Sequence, residues 1–259
     1  MGIHYCKESE ITVNRFFARS ENVYDNYIII DGSDVNHIKN VLRMKQGEEL
    51  MIIAGNNTEY LCSISDYEND IIRLDIVESR ENDTELGARI HLFQGLPKGD
   101  KMELIIQKCV ELGVHEIIPV AMKRCVVKLD NKKAASKISR WQAISESAAK
   151  QSKRTIVPKI HDVMNYKDAV EYAMTMDLSM VPYELAEGME ATKNALSKIK
   201  KGMDVAVFIG PEGGFDMDEI LLAKDSNMTP VSLGRRILRT ETAGFTVMAI
   251  IMYQLEIQE

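Results

Sequence analysis

The chain has 259 residues, of which 45% are hydrophobic, 27% charged and 6% aromatic. This is the composition of a globular protein, and it excludes a collagen-like, low-complexity or disordered chain. The net charge of −7 argues, taken alone, against a nucleic-acid partner.

Residues 1–77 are predicted to form a small β-rich domain. Short segments rich in Ile, Val, Leu and Tyr alternate with polar turns, at residues 27–30, 49–55, 59–65 and 70–77. One amphipathic helix is expected between about Ser33 and Met44. Closely spaced strands around one helix indicate a small barrel. The acidic segment 78–87 has no apolar periodicity and is expected to be a linker.

Residues 88–259 are predicted to form an α/β domain. A strand at 89–96, a helix from Asp100 to Gly113 and a strand at 114–120 make one βαβ unit. Further helices are expected at 136–151, 166–175, 187–199, 216–226 and 241–256, and further strands at 178–183, 204–210 and 229–233. This alternation indicates a mostly parallel sheet covered on both faces, with ligands bound beyond the carboxyl ends of its strands.

Two of these strand ends carry unusual sequences. The first is Gly210-Pro211-Glu212-Gly213-Gly214, where clustered glycines let a ligand approach the main chain closely, although a tight turn alone is the alternative. Neither the dinucleotide fingerprint nor the P-loop is present, and a glutamate here would repel a pyrophosphate. The loop therefore favours a ligand that is neutral or positive.

The second strand end carries three arginines before a helix. Arg235, Arg236 and Arg239 follow a turn at Gly234, and Thr240 is predicted to be the N-cap of the closing helix. An arginine directly before a helix N-terminus favours an anion or a developing negative charge, which singles out Arg239. Arg235 and Arg236 are as readily explained as solvated loop charges.

Positive charge is concentrated in residues 123–159, which contain 11 Lys or Arg and 2 Asp or Glu. A solvated helix face is one explanation, and contact with RNA is the other. The concentration favours RNA contact. The candidate residues are Lys123, Arg124, Lys132, Lys133, Lys137, Arg140, Lys153 and Arg154, with Arg43 in the first domain.

Five stretches together resemble one known family. They are VLRMKQGEE (41–49), FQGLPKGDKMELIIQKCVELGVHEIIPV (93–120), RWQAISESAAKQSKRTIVPKI (140–160), FIGPEGGF (208–215) and SLGRRILRTETA (232–243). In this order they resemble the RsmE family of 16S ribosomal RNA uridine methyltransferases, in the SPOUT superfamily. The resemblance implies a PUA-like RNA-binding β-barrel followed by a SPOUT α/β domain with a trefoil knot.

The resemblance also implies a cofactor, S-adenosylmethionine (SAM), and a homodimer. The reaction it implies is methylation of N3 of a uridine in the decoding region of 16S rRNA, on the 30S subunit. The positions that match its cofactor loops are Pro182, Tyr183, Gly210, Pro211, Glu212, Gly213, Gly214, Leu233, Gly234, Ile237, Leu238 and Thr240.

Uridine N3 is a poor nucleophile until its imide proton leaves. Arg154 and Arg239 are the candidates for stabilising the resulting imidate, and Glu212 or Glu241 is either the base or structural. The alternatives to such an enzyme are a non-catalytic RNA-binding assembly factor and an α/β enzyme with another nucleotide cofactor. The sequence predicts no metal site, membrane span or export signal, so we expect a cytoplasmic protein.

Overall fold

The computed structural model describes residues 13–54, 58–81, 84–184, 186 and 188–257. The chain divides into two compact units, Met1–Asp83 and Thr84–Glu259. Each unit has its own sheet and its own core, and each is described separately below.

The first unit is a five-stranded sheet with a short helix. Its strands are β1 (Arg15–Phe17), β2 (Tyr27–Asp31), β3 (Glu49–Ile53), β4 (Thr58–Glu68) and β5 (Ile71–Glu81), in the order β1-β3-β4-β5-β2. Among the described strands of this first sheet, only the β1–β3 pair is parallel. Helix α1 (Ser33–Asn36) continues as a π-helical turn, His37–Val41, and places Val35 and Ile38 in the core. The β-rich domain with one helical segment is thus as predicted.

Strand β5 extends into the segment that the sequence predicts to be a linker. Residues 78–81 pair with β4, and Arg80 lies opposite Glu59. Glu59 is 2% exposed, and its carboxylate is bound by the guanidinium groups of Arg15 and Arg80. The predicted linker over 78–87 therefore begins too early. The charged residues of this segment predict a solvent-exposed loop, because the sequence does not show that Arg80 pairs with Glu59, 21 residues earlier.

The second unit alternates strands with helices. Its strands are β6 (Arg89–Gly95), β7 (Glu116–Ala121), β8 (Lys159–Ile160), β9 (Met164–Asn165), β10 (Leu178–Pro182), β11 (Asp204–Ile209) and β12 (Thr229–Val231). Its helices are α2 (Lys101–Glu111), α3 (Asn131–Gln151), α4 (Tyr166–Ala173), α5 (Glu190–Leu196), α6 (Met217–Asp225) and α7 (Thr240–Glu256).

All pairs in this sheet are parallel, in the order β12-β10-β11-β6-β7-β8, and β9 also pairs with β7. The central strands are buried on both faces, as expected for a parallel sheet between helices. Phe93 and Phe208 are register partners, and their rings stack 4.3 Å apart at 4°. The α/β fold class is confirmed, whereas the trefoil knot stays a prediction.

The helix predictions agree with the structure except at some ends. Helix α2 buries the predicted stripe of Met102, Ile105, Ile106, Cys109 and Val110. Helix α3 begins five residues earlier than predicted, because the Asp130 carboxylate accepts a 2.8 Å hydrogen bond from the Lys133 amide and caps it. The lysines that follow Asp130 carry no apolar periodicity, so this first turn was not visible in the pattern.

The amino ends of β6, β7 and β11 share a charged network. The two ring nitrogens of His91 lie 2.7 Å from Glu116 and 2.8 Å from Asp204, so the ring is held between two carboxylates. Burial alone would lower the pKa of His91, but these hydrogen bonds outweigh it and raise the pKa. The Arg89 guanidinium, helped by His91, lowers the pKa of Asp204 to about 2. The two carboxylates therefore favour the protonated form of the His91 ring.

Glu116 is the acceptor at the centre of that network. His161 and Tyr172 also direct polar atoms at its carboxylate, at 2.6 and 2.7 Å. Burial alone would raise the pKa of Glu116, but the bonds from His161, His91 and Tyr172 outweigh it and lower the pKa. A network of charged and polar side chains thus covers the amino edge of the sheet. The loops described below lie at the opposite, carboxyl edge.

Candidate functional site

A cavity of about 490 Å³ lies at the carboxyl edge of the second sheet. It is lined by the segments that follow β10, β11 and β12, and by the start of α7. Every residue expected to hold the cofactor lies on its wall: Pro182, Tyr183, Gly210, Pro211, Glu212, Gly213, Gly214, Leu233, Gly234, Ile237, Leu238 and Thr240. Three loops that are far apart in sequence therefore meet around one space.

Glycines shape the loop after β11 in two ways. A Cβ at Gly95, at the end of β6, would lie 2.7 Å from the ring of Pro211, so only glycine lets this loop approach the strand. Gly214 has a φ of +66° and donates a 2.9 Å hydrogen bond to the Pro211 carbonyl. The tight turn and the cavity wall are the same piece of backbone.

Thr240 joins the loop, the central strand and α7. Its hydroxyl donates to the Gly210 carbonyl at 2.7 Å and accepts from the Gln94 side-chain amide at 2.9 Å. Gln94 is completely buried, and Thr240 is 5% exposed. The prediction of Thr240 as N-cap is wrong, because Arg239 is the N-cap and Thr240 is the first helical residue. Its hydroxyl binds the loop at Gly210 instead of capping the helix.

The two candidate carboxylates share one lysine. Lys101, the first residue of α2, places its ammonium 3.1 Å from Glu212 and 3.3 Å from Glu241. The contact with Glu212, and then that with Glu241, raises the pKa of Lys101. Burial alone would raise the pKa of Glu212, but the amide of Lys98 (3.0 Å) and the Lys101 ammonium lower it. Both acids are thus bound by groups of the chain itself.

Lys101 is a cavity residue that the sequence prediction missed. It lies within PKGDK (97–101), a stretch quoted for its family resemblance, but a lysine at the start of a helix reads as solvent-exposed. An electrostatic argument could have identified it. A lysine in the first turn of a helix is unfavourable next to the positive end of the helix dipole, so its presence there indicates nearby carboxylates. The wall also includes Glu184, Ile209, Phe215, Ser232, Arg235, Arg236 and Ala243.

Arg239 is the N-cap of α7, one position closer to the helix than predicted, and it lies on the cavity wall. Arg235 and Arg236 lie on the same wall, in the loop between β12 and α7. All three are exposed, and none forms an ion pair with any residue that the structure describes. The cavity therefore has uncompensated positive charge at the entrance to α7.

Arg154 is not in this cavity, contrary to the expectation that it stabilises the imidate or contacts RNA. It is 3% exposed and forms an ion pair with Glu85. Its remaining donors bind the carbonyls of Val110 (3.2 Å) and Val114 (2.5 Å). Its guanidinium thus links the segment after α3 to the end of α2, which is a structural role. The sequence could not separate this role from RNA contact, since Glu85 lies 69 residues away.

Several other cations of the 123–159 segment are bound to carboxylates of the chain. Lys123 contacts Asp216 at 2.7 Å and Asp218 at 2.9 Å. Arg124 lies 3.4 Å from Asp216 and donates to the Gly213 carbonyl at 3.2 Å. These two residues therefore hold the start of α6 and the glycine loop.

The remaining candidates for RNA contact are spread over both units. Arg140 is paired with Glu103 at 2.8 Å. Lys133 lies 3.4 Å from Asp130, and Lys137 lies over the ring of the buried Trp141. The others are exposed: Lys132 on α3, Lys153 after it, and Arg43 in the first unit.

A membrane-spanning helix and a metal-binding cluster are both absent from the described residues. None of their helices combines the length and the apolarity needed to cross a bilayer. Within the same residues, no three His, Cys, Asp or Glu side chains are grouped so that they could hold a metal ion.

Family models match both parts of the chain. Residues 84–252 match the model of an RNA methyltransferase domain, and residues 30–77 match that of an RNA methyltransferase PUA domain. The larger match covers the whole sheet of the second unit and every wall residue of the cavity.

Relatives and solved structures agree with these models. Ribosomal RNA small subunit methyltransferase E of Bacillus subtilis is 36% identical over 231 residues, which cover 88% of this chain and 90% of the relative. The same-named protein of Mesomycoplasma hyopneumoniae is 34% identical, with coverages of 89% and 95%. The crystal structure of the Neisseria gonorrhoeae protein of that name, bound to SAM, superposes with a TM-score of 0.77 at 30% identity, over 92% of this chain and 96% of the other.

Proposed function

Because the chain belongs to the RsmE family of ribosomal RNA small subunit methyltransferases, we propose the following reaction for it. It is a SAM-dependent rRNA methyltransferase, and it methylates N3 of a uridine in the decoding region of 16S rRNA within the 30S subunit. The observation that carries the proposal is the cavity, whose wall contains all twelve positions expected to hold the cofactor.

The cavity fits such a cofactor. Its volume lies within the range of about 300–1,000 Å³ that is typical of small-molecule sites. Its wall includes four glycines, Gly210, Gly213, Gly214 and Gly234, whose exposed backbone suits the neutral adenosine. SAM supplies an electrophilic methyl group on a sulfonium. We assign its binding to the segments at 182–183, 210–214, 233–234 and 237–238, and to Thr240.

The chemistry that the chain must supply concerns the acceptor. The imide proton of uridine N3 must leave, and the negative charge that spreads over the base must be stabilised. Arg239 is exposed on the cavity wall at the N-terminus of α7, where both its own charge and the helix dipole favour an anion. We assign Arg239 to this charge.

Glu212 and Glu241 are assigned structural roles. A catalytic base needs a lone pair that is free to accept a proton and a pKa near the working pH. Lys101 forms an ion pair with both carboxylates, and the pKa of Glu212 is lowered rather than raised. Their function is to hold the glycine loop and the start of α7 together at the start of α2.

The homodimer expected from the resemblance is supported by α7. This helix exposes Tyr253 (65%) and leaves Phe245, Ile250 and Met252 only half-buried. An apolar helix of this kind is normally covered on more than one side. A second copy of the chain is the covering that we propose. Since ribosomal subunits are the substrate, we place the reaction in the cytoplasm.

Three measurements test the proposal. Calorimetry with SAM should give a defined affinity for the purified chain, and radiolabelled methyl groups should pass from SAM to 30S subunits that lack this modification. Sedimentation of the same sample should give the mass of a dimer. Absence of SAM binding, or of methyl transfer to 16S rRNA, would contradict the proposed function.

A further inference from the structure

The unpaired positive charge of the cavity lies in one loop. Arg235 and Arg236, together with Arg239, are exposed and have no ion pair among the described residues. Lys101 is the other cation on the wall, and two carboxylates surround it. Besides Glu212, the wall has one further carboxylate, that of Glu184. The loop between β12 and α7 therefore carries the excess charge of the cavity.

The segment 123–159, which has the highest charge in the sequence, uses much of that charge internally. Lys123, Arg124, Arg140 and Arg154 each lie against a carboxylate of the same unit. A cation contributes to RNA affinity by replacing counterions at a phosphate, and a cation already paired with a carboxylate contributes less. The unpaired arginines at the cavity are therefore better placed to bind a polyanion than these four cations of the segment.

The cofactor does not explain two more arginines at this position. SAM carries a sulfonium and an amino group against one carboxylate, so additional guanidinium groups on the wall repel it on balance. An RNA strand does explain them, since a base whose N3 is methylated must leave its stack to enter the cavity and its phosphates then lie at the mouth. Guanidinium groups bind phosphate oxygens with two parallel hydrogen bonds.

We propose that Arg235 and Arg236 form a phosphate subsite, which holds the RNA backbone beside the nucleotide whose base enters the cavity. This subsite rests on the proposed function, because it requires a methyl acceptor that is RNA. It differs in role from Arg239, which faces the base: the pair fixes the backbone and so sets which nucleotide is presented.

The test compares two variants that each lose two positive charges. One is Arg235→Gln with Arg236→Gln, and the matched control is Lys198→Gln with Lys201→Gln, two exposed lysines of the same unit that do not lie on the cavity wall. For each protein, affinity for 30S subunits is measured over a series of salt concentrations, and SAM affinity is measured by calorimetry. Methylation kinetics give KM for the RNA.

The subsite predicts a clear difference between the variants. The arginine variant should flatten the plot of log affinity against log salt by about 0.7–0.9 per lost phosphate contact, and its KM for 30S subunits should rise roughly tenfold. Its SAM affinity should stay close to that of the unmodified protein. The lysine variant should change the slope and KM by much less.

Three results would overturn the subsite. They are an unchanged salt dependence in the arginine variant, equal effects in both variants, and a loss of SAM affinity, which would place the arginines on the cofactor carboxylate. If the unmodified protein transfers no methyl group to 30S subunits, the proposed function fails as well. If it does so while the arginine variant behaves normally, only the subsite fails.

Discussion

The Thr240 hydroxyl donates a 2.7 Å hydrogen bond to the carbonyl of Gly210, 30 residues earlier in the chain. The same hydroxyl accepts from the buried amide of Gln94. One side chain thereby fixes the start of α7, the end of β6 and the loop after β11 relative to one another. Thr240 and Gly210 both lie on the cavity wall, so this contact joins two of the segments that form it.

Replacing Thr240 with Val keeps the shape of the side chain and removes the hydroxyl. The Gly210 carbonyl and the Gln94 amide then lose a partner while buried, so the free energy of unfolding should fall by about 1–3 kcal/mol. SAM affinity should fall too, because the glycine loop is released. Urea unfolding and calorimetry check this, and Thr240→Ser, which keeps the hydroxyl, is the control. Wild-type SAM affinity in Thr240→Val would show that the contact does not shape the cavity.

Replacing Arg239 with Met should lower the rate of methyl transfer at saturating SAM by about 10²–10³-fold. The reason is that the negative charge on the base loses its stabilising cation, whereas the glycine loop keeps its contacts. SAM affinity should therefore change little. Single-turnover kinetics with 30S subunits give the rate, and Arg239→Lys should recover part of it. A variant with a normal rate and weak SAM binding would assign Arg239 to the cofactor.

Replacing Arg154 with Met should destabilise the second unit by about 3–5 kcal/mol, because the Glu85 carboxylate, which is 11% exposed, loses the cation that neutralises it. Thermal unfolding measures the loss. A second change, Glu85→Gln, should restore part of the stability, since it removes the uncompensated charge. If Arg154→Met folds normally and loses only methyl transfer, the catalytic role first expected for Arg154 would be correct.

The His91 network makes stability depend on pH in a stated direction. The pKa of His91 is raised in the folded protein, so its contribution is complete below the usual histidine pKa of about 6.5 and is lost as pH rises through the folded value. The lowered pKa values of Glu116 and Asp204 act in a separate, acidic range, where their contribution is lost as pH falls.

Urea unfolding between neutral and alkaline pH separates these two ranges. The stability difference between the unmodified protein and His91→Gln should be largest at the low end and should shrink as pH rises. His37→Gln, which changes an exposed histidine of the first unit, is the control. A difference that does not vary with pH would mean that His91 is neutral in the folded protein.

Local patterns in the sequence were sufficient for much of the fold and the cavity. The stripe from Met102 to Val110 predicts α2 because helical periodicity reports burial directly. Residues 210–214 predict a loop whose backbone a ligand can approach closely, because glycine has no side chain to prevent that approach. These features depend on residues near each other in the chain.

Long-range charge pairs were not predictable. Arg154, predicted to contact RNA, forms an ion pair with Glu85. Arg80, predicted to lie in a linker, forms an ion pair with Glu59 and belongs to strand β5. Lys101 was overlooked for the same reason, since its carboxylates come from two other elements. The sequence gives the charge of each residue but not the distant residue that neutralises it.

The most direct test is to locate the methyl group. 30S subunits lacking the modification are incubated with the purified protein and SAM, and the 16S rRNA is digested and analysed by mass spectrometry and nucleoside chromatography. The account predicts a single new 3-methyluridine, at one position in the decoding region. Absence of a new methyl group, or a methyl group on another atom or in another region of the rRNA, would contradict it.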